Sequence, residues 1–450
     1  MTIPAVDDAR LAAVFKAYDI RGTVPDQIDT DLVRGVGAGF ARHVEAPSVL
    51  VGRDMRPTGP ALVEAFTDGV VSQGVDVVDL GLASTDLLYA ASGILDMPGA
   101  MLTASHNPAG YNGIKLCGRS AAPIGMESGL GAIRAAAAQG LPEAATRGHR
   151  SEREFIDDYV RHVHSFVDLS ALRPLRVVAD CANGMGGYVA PPVFADLPFE
   201  VELLYPELDG SFPNHPADPI NPENLRDLQG RVVQTGADLG LAFDGDADRV
   251  FLVDERAQPV SGSITTALVA AGMLAREPGG TVLYNLICSR AVPEVIAEAG
   301  GRAVRTKVGH SYIKAVMAEE GAVFGGEHSG HYYFRDNFRA DSGLIAALVV
   351  LEQMCTSGTP MSELVAPLDR YAASGEINTV VDDHVAAIEK VAAAYVDHPQ
   401  DRLDGLTVDG GDWWFNLRPS NTEPLLRLNL EAPDAAAVAR HVDEVRSLYA

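Results

Sequence analysis

The stretch Leu239-Gly-Leu-Ala-Phe-Asp-Gly-Asp-Ala-Asp-Arg-Val-Phe-Leu-Val253 decides how the chain is read. Two apolar runs, Leu239 to Phe243 and Val250 to Val253, flank the loop Asp244-Gly-Asp-Ala-Asp248-Arg249. Their length and composition predict two strands of a buried sheet. Three carboxylates at i, i+2 and i+4 in a Gly-containing loop converge on one point. Two unit charges about 4 Å apart repel by about 4 kcal/mol at an effective dielectric near 20. Such a cluster between apolar strands calls for a cation, and an oxygen-only ligand set favours Mg²⁺, Mn²⁺ or Ca²⁺ over zinc. An EF-hand would carry a Glu at its twelfth position, which Glu255 supplies, but strands stand here where that motif needs helices. The plainer reading is a solvated acidic turn, and the apolar flanks argue against it.

Outward from this loop, strand-like and helix-like patterns alternate. Ser48-Val-Leu-Val51 reads as a strand running into Gly52-Arg-Asp54, and Leu175 to Ala179 as another feeding the turn Asn183-Gly-Met-Gly-Gly187. Thr281 to Tyr284 is a third, and Ser342 caps a buried helix running through Leu351. Asp434 caps a last helix with Val438, Val442, Val445 and Tyr449 on one stripe. The alternation predicts α/β layers. At 450 residues the chain is long enough for three or four domains of ~150 residues. Polar or turn-rich breaks at Gly140–Ser151, Val253–Pro259 and Pro367–Gly375 predict domains 1–150, 151–255, 256–368 and 369–450.

Composition narrows the function. Hydrophobic residues make up 47% and charged residues 21%, so buried cores are affordable and disorder is excluded. With 35 basic against 61 acidic residues the net charge is −26. Nucleic acid and anionic membrane surfaces are disfavoured partners, although a few placed cations still admit a small anionic substrate. Cys117, Cys181, Cys288 and Cys355 are widely separated, which excludes zinc motifs and a disulfide framework. The start lacks a basic segment followed by an apolar one, and no apolar run approaches the ~20 residues of a spanning helix. These features predict a soluble, cytoplasmic protein.

Three further loops carry chemistry. Thr103-Ala-Ser-His-Asn-Pro108, followed by Gly110-Tyr-Asn-Gly-Ile-Lys115, presents Ser105 on a tight turn with His106 and Lys115 near it for proton transfer or phosphate pairing. It is not a serine-hydrolase elbow. Gly325-Gly-Glu-His-Ser-Gly-His331, preceded by Lys307-Val-Gly-His310, sets Glu327 and Ser329 to read sugar hydroxyls, with His310 and His331 beside them. Arg418-Pro-Ser-Asn-Thr422 combines an arginine with polar residues in a nest suited to phosphate. Taken singly, each loop also reads as an ordinary turn, and each histidine as a structural one. A hydroxyl nucleophile, a hard-metal site, a hydroxyl reader and a phosphate nest together indicate phosphoryl transfer on a phosphosugar.

TASHNP, DGDADR, GEHSGH and RPSNTEP, with Tyr18-Asp-Ile-Arg-Gly22 near the start, resemble the signature loops of the α-D-phosphohexomutase superfamily, in the same order and across almost the whole chain. The resemblance implies a heart-shaped, four-domain molecule: three similar α/β mixed-sheet domains and a smaller C-terminal α+β domain around a central cleft, as a monomer or weak dimer. It implies a phosphoserine at Ser105 and one Mg²⁺ per chain, held by Asp244, Asp246, Asp248 and a phosphoserine oxygen. A hexose 1,6-bisphosphate would be intermediate and activator, turning over within the cleft. Arg21, Tyr18 and His106 would surround the phosphoserine, Lys115 would act as general acid/base, and Arg249 would support the metal loop. Lys307, His310, Glu327, Ser329 and His331 would face the sugar, and Arg418, Ser420, Asn421 and Thr422 would hold the phosphate not being transferred. Ala247 stands where the family usually has Gly. Gly375 and the stretch before it would serve as a hinge. The run from Gly326 to Asp336 looks most like the phosphomannomutase group, including its bifunctional phosphomannomutase/phosphoglucomutase members. Phosphoglucosamine mutases more often have Gln at the place of His328. A metal-dependent sugar-phosphate phosphatase is the rival from another reaction class.

Overall fold

The computed structural model describes residues 2–420 and 425–449, with the side chains of His310 and Ser311 left aside. The chain divides into two compact units, Met1–Ser261 with Ser329–Ser362, and Gly262–His328 with Glu363–Ala450.

The first unit holds two mixed sheets. One has the strand order Ile20–Thr23, Tyr111–Cys117, Gly99–Leu102, Ser48–Arg53, Asp76–Leu82, Arg150–Glu152. The last four of these run parallel, and Tyr111–Cys117 is antiparallel to both its neighbours. Val49, Leu50 and Val51 are fully buried, as a central parallel strand covered on both faces requires. Two helices on this sheet, Thr30–Val44 and Gly59–Ser72, touch backbone to backbone: a Cβ at Gly69 would lie 2.1 Å from the Arg34 carbonyl oxygen. The loop Thr103–Pro108 leaves the C-terminal end of Gly99–Leu102, where open α/β sheets place their chemistry.

The second sheet runs Glu200–Leu204, Arg176–Asp180, Leu239–Phe243, Val250–Asp254, Pro259–Val260. The two strands read from the deciding stretch pair antiparallel, with Phe243 opposite Val250, so the acidic loop is the tip of a hairpin. Helix Gly343–Ser357, capped by Ser342 accepting from the Ile345 N–H, packs behind it, and a Cβ at Gly343 would lie 2.7 Å from the Arg249 carbonyl carbon.

The second unit holds the parallel set Arg302–Thr306, Thr281–Asn285, Phe324–Gly326 and an antiparallel sheet ordered Ala372–Val380, Leu425–Ala432, Trp414–Pro419, Leu406–Asp409, Gln400–Asp401. Helices His384–Ala394 and Ala435–Arg446 close a core around Phe415, Leu417 and Leu428.

Three of the breaks read from the sequence carry structure. Within 140–151, Leu141–Pro142 pairs with Thr2–Ile3 and Arg150 starts an exposed edge strand of the first sheet. A polar edge strand looks like a linker because it has no buried face. The break at 255 falls inside the hairpin Val250–Asp254/Pro259–Val260, so the second sheet runs on to residue 260. Gly375, read as a hinge, lies at a β-bulge within Ala372–Val380, with φ +66°. Residues 329–362 group with the first of the two units.

Candidate active site

The hairpin tip sends three aspartates inward. Asp244, Asp246 and Asp248 are fully or almost fully buried, and one carboxylate oxygen of each lies within 4.8 Å of the others. Alternation along the loop needs a reversal at its fourth position, and Ala247 provides it with φ +58°. The methyl is tolerated at some backbone strain, which a glycine here would avoid.

Ser105 stands over this loop. Its Oγ donates to Asp244 Oδ2 at 2.8 Å and accepts from Arg249 Nη2 at 3.2 Å. Its backbone is left-handed too, at φ +50°. The loops touch so closely that a Cβ at Gly245 would lie 2.4 Å from the Ser105 carbonyl oxygen, which is why a glycine follows Asp244. Lys115, on strand Tyr111–Cys117, bridges Asp246 and Asp248 with Nζ at 2.7 and 2.6 Å from their Oδ2 atoms. Arg249 Nε donates to Asp244 Oδ2 at 2.8 Å, and its Nη2 also contacts His106 Nδ1. The structure thus puts Arg249 beside the Ser105 hydroxyl. Arg21 reaches the serine loop through Asn107, donating to Oδ1 at 2.8 Å, and pairs with Asp19. Tyr18 is half-buried just before strand Ile20–Thr23. His331 packs against the cluster, with Nδ1 2.7 Å from Asp341 Oδ2 and 3.9 Å from Asp248 Oδ1.

The electrostatics follow from three carboxylates and two cations sharing a dry volume. Burial, opposed by Arg249 and reinforced by Asp246 and Asp248, pushes Asp244 up to about 7. Burial acts on Asp246 in the same sense, yet Lys115 and Thr85 carry it well below the usual carboxylate range. Burial works against the charge on Lys115, but Asp246 and Asp248 hold the ammonium firmly. Burial and the neighbouring Arg249 drive His106 well down, so its ring is neutral. The donor set fits a hard divalent cation: Asp246 Oδ1 and Asp248 Oδ1 are buried with no hydrogen-bond partner, as oxygens reserved for a metal would be.

The second unit carries the other expected residues. Glu327 is 2% exposed, and its Oε1 accepts from Gly309 N–H at 3.0 Å and Asn285 Nδ2 at 3.2 Å. His328 Nδ1 lies 3.0 Å from Ser263 Oγ, and Lys307 Nζ sits 5.5 Å over the Tyr312 ring. Arg418 Nη2 donates to Glu376 Oε2 at 3.1 Å. Arg427 reaches the other oxygen of the same carboxylate at 3.4 Å, and its Nη2 donates to Ser420 Oγ at 3.3 Å. Val308 N–H donates to Asp404 Oδ2 at 3.4 Å, tying the Lys307 loop to the antiparallel domain that carries Arg418. Ser329, half-buried, belongs to the first unit. The His310 side chain, Asn421 and Thr422 lie outside the described residues.

The chain matches all four domain models of the phosphoglucomutase/phosphomannomutase family: alpha/beta/alpha domain I over residues 12–140, domain II over 157–258, domain III over 261–371 and the C-terminal domain over 376–448. It belongs to that family. A protein of Xanthomonas campestris pv. campestris described as "Phosphohexose mutases" is 42% identical, covering 100% of this chain and 99% of that protein. The phosphomannomutase of Escherichia coli strain K12 is 37% identical over 93% of this chain and 94% of its own length. The crystal structure of a phosphoglucomutase/phosphomannomutase family protein from Burkholderia thailandensis superposes with a TM-score of 0.88 at 34% identity, covering 97% and 96% of the two chains. The chain is therefore an enzyme of the mutase, or isomerase, class with the four-domain phosphohexomutase architecture. Among the described residues no helix is long and apolar enough to cross a membrane.

Five groups that serve these residues are missing from the sequence reading. Thr85 Oγ1 donates to Asp246 Oδ2 at 2.6 Å, Asp341 holds His331, Asn285 holds Glu327, Arg427 shares the carboxylate of Arg418, and Arg56 binds the serine loop. Arg56 and Asn285 had a signal: each stands at or just past the C-terminal end of a central parallel strand that the sequence shows, Ser48–Arg53 and Thr281–Asn285.

Proposed function

We propose that the enzyme is a phosphomannomutase, interconverting mannose 6-phosphate and mannose 1-phosphate with Ser105 as the phosphoryl carrier and hexose 1,6-bisphosphate as the intermediate. The observation that carries this reading is Ser105 Oγ lying within hydrogen-bond reach of both Asp244 and Arg249, beside two buried carboxylate oxygens with no partner. Asp244, Asp246 and Asp248 would hold one Mg²⁺, which, when bound, offsets charge on the transferring phosphoryl group.

In the first half-reaction the Ser105 Oγ–P bond breaks, Oγ taking up a proton from Asp244 Oδ2, and a P–O bond forms to the free hydroxyl of the hexose monophosphate, whose proton passes to Lys115 Nζ. In the second, the Ser105 hydroxyl attacks the other phosphate of the bisphosphate, returning its proton to Asp244 Oδ2, to which it donates, while the P–O bond to the sugar breaks and Lys115 gives its proton to the departing sugar oxygen. The ammonium bridging Asp246 and Asp248 beside an unmodified Ser105 is the protonation state that second step requires. Arg249 Nη2 is placed to pair with phosphoryl oxygens on Ser105, and neutral His106 orients that guanidinium. His331, held by Asp341, and Glu327, held by Asn285, present fixed groups to sugar hydroxyls. Arg418 and Ser420 bind the phosphate that is not moving, by charge-assisted contacts that tolerate either end of the sugar. A protein dissolved in the cytoplasm suits substrates of this kind.

The test is a coupled assay with Mg²⁺ and catalytic hexose 1,6-bisphosphate, comparing kcat/KM for mannose, glucose and glucosamine 1-phosphates. Preference for mannose, or parity with glucose, supports the reading, parity marking a bifunctional enzyme. Preference for glucosamine overturns the sugar assignment, and release of inorganic phosphate with no isomer formed overturns the transfer itself.

A further inference from the structure

We infer that Arg56 is a positioning residue for Ser105, clamping the backbone of the serine loop so that the hydroxyl is aimed; the inference rests on Ser105 being the phosphoryl carrier. Arg56 is fully buried, and every N–H of its guanidinium is used. Nε donates to Asp54 Oδ2 at 3.1 Å. Nη1 donates to the carbonyls of Pro108 and Tyr111 at 2.8 and 2.9 Å, and Nη2 to those of Ser105 and Asn107 at 2.9 and 2.6 Å. Four carbonyls between residues 105 and 111, three of them in the serine loop, thus converge on a single side chain from a different strand end.

The other peptide group of Ser105 is tied to the same root. Its N–H donates to Thr103 Oγ1 at 2.9 Å, and that hydroxyl donates to Asp54 Oδ2 at 2.7 Å. Asp54 Oδ1 in turn accepts the Arg56 backbone N–H at 3.0 Å. Asp54 therefore fixes Ser105 from both sides, through Thr103 at its nitrogen and through Arg56 at its carbonyl. A non-glycine residue in the left-handed region persists only where its surroundings over-determine it, and Ser105, at φ +50°, is such a residue. An ordinary turn needs one or two hydrogen bonds. Six focused on one loop, at the expense of burying an arginine, serve accuracy at the hydroxyl. A lysine ammonium offers three donors from one point and cannot reproduce the planar fork.

The test uses the full chain and the mannose 1-phosphate assay, with Ser105→Ala as reference. Arg56→Lys is expected to lower kcat about 100-fold, the scale of a 1 Å misplacement, with KM within about threefold of wild type. Thr103→Val is expected to lower kcat at least about tenfold, and Thr103→Ser, which keeps the hydroxyl, to restore most of it. Circular dichroism selects the folded variants, and if Arg56→Lys fails to fold the Thr103 pair decides. Unchanged kcat in a folded Arg56→Lys, kcat and KM worsening together, or equal activity of Thr103→Val and Thr103→Ser each overturns the inference. A Ser105→Ala enzyme with full turnover instead overturns the assignment of Ser105.

Discussion

The serine–aspartate cluster and the arginine end of the C-terminal domain are built differently. Around Ser105 the charges are sealed: Asp244 and Asp246 are 0% exposed, and Arg249 and Lys115 are spoken for by carboxylates. At the other end Arg418 and Arg427 share Glu376, whose side chain is 32% exposed. The first arrangement is preorganised for charge that develops on one atom, because its dipoles need no rearrangement. The second is built to exchange partners, since a carboxylate one-third exposed is held less firmly than a buried one and an arginine can pair with a phosphate in its place. Under the proposed function the two regions answer separate demands: transfer needs fixed geometry, and recognition of a substrate in two orientations needs reversible pairing.

The largest effect is expected at the sealed end. Asp246→Asn is expected to lower kcat/KM by at least about 100-fold and to abolish the rise in Tm that Mg²⁺ gives the wild type; an undiminished Mg²⁺ shift would remove the metal from this loop. At the exchangeable end, Arg418→Ala is expected to raise KM about 10- to 100-fold while kcat changes less than about fivefold. A kcat loss as large as that of Asp246→Asn would erase the division between the two ends.

A third experiment probes what lies behind the sealed cluster. Burial, against hydrogen bonds from Ser84, Tyr159 and Ser342, pushes the Asp86 carboxyl up to about 7. Its folded pKa lies above its unfolded value near 4, so its contribution is complete below about pH 4 and is lost as the pH rises through about 7. Asp86→Asn, a mimic of the neutral acid, is expected to gain about 2 kcal/mol on the wild type between about pH 5 and pH 8, read from urea unfolding. A difference constant with pH would mean that Asp86 does not titrate in that range. The smallest effect is local: Ala247→Gly relieves the left-handed backbone and is expected to add up to about 1 kcal/mol of stability with activity retained.

Much of this was legible in the sequence because each chemical loop is continuous in the chain. The hairpin around Asp244 could be read from its two apolar flanks, and the Ser342 and Asp434 caps from the helices that follow them. What stayed hidden joins residues far apart in the chain. No local pattern pairs Arg56 with the carbonyls of residues 105–111, or Thr85 with Asp246. The strand Arg150–Glu152 escaped because it is wholly exposed. Periodicity reports which face of an element is buried, and says nothing of which element covers it.

The central claim is that Ser105 carries the phosphoryl group, and the most direct measurement is to look for it there. The purified chain, treated with a phosphatase and then with hexose 1,6-bisphosphate and Mg²⁺, is digested and its peptides are mapped by mass. One phosphate per chain is expected on the peptide holding Ser105, discharged when mannose 1-phosphate is added and absent from Ser105→Ala. An active enzyme whose Ser105 peptide stays unmodified throughout, or whose phosphate sits on another residue and turns over with substrate, would contradict it.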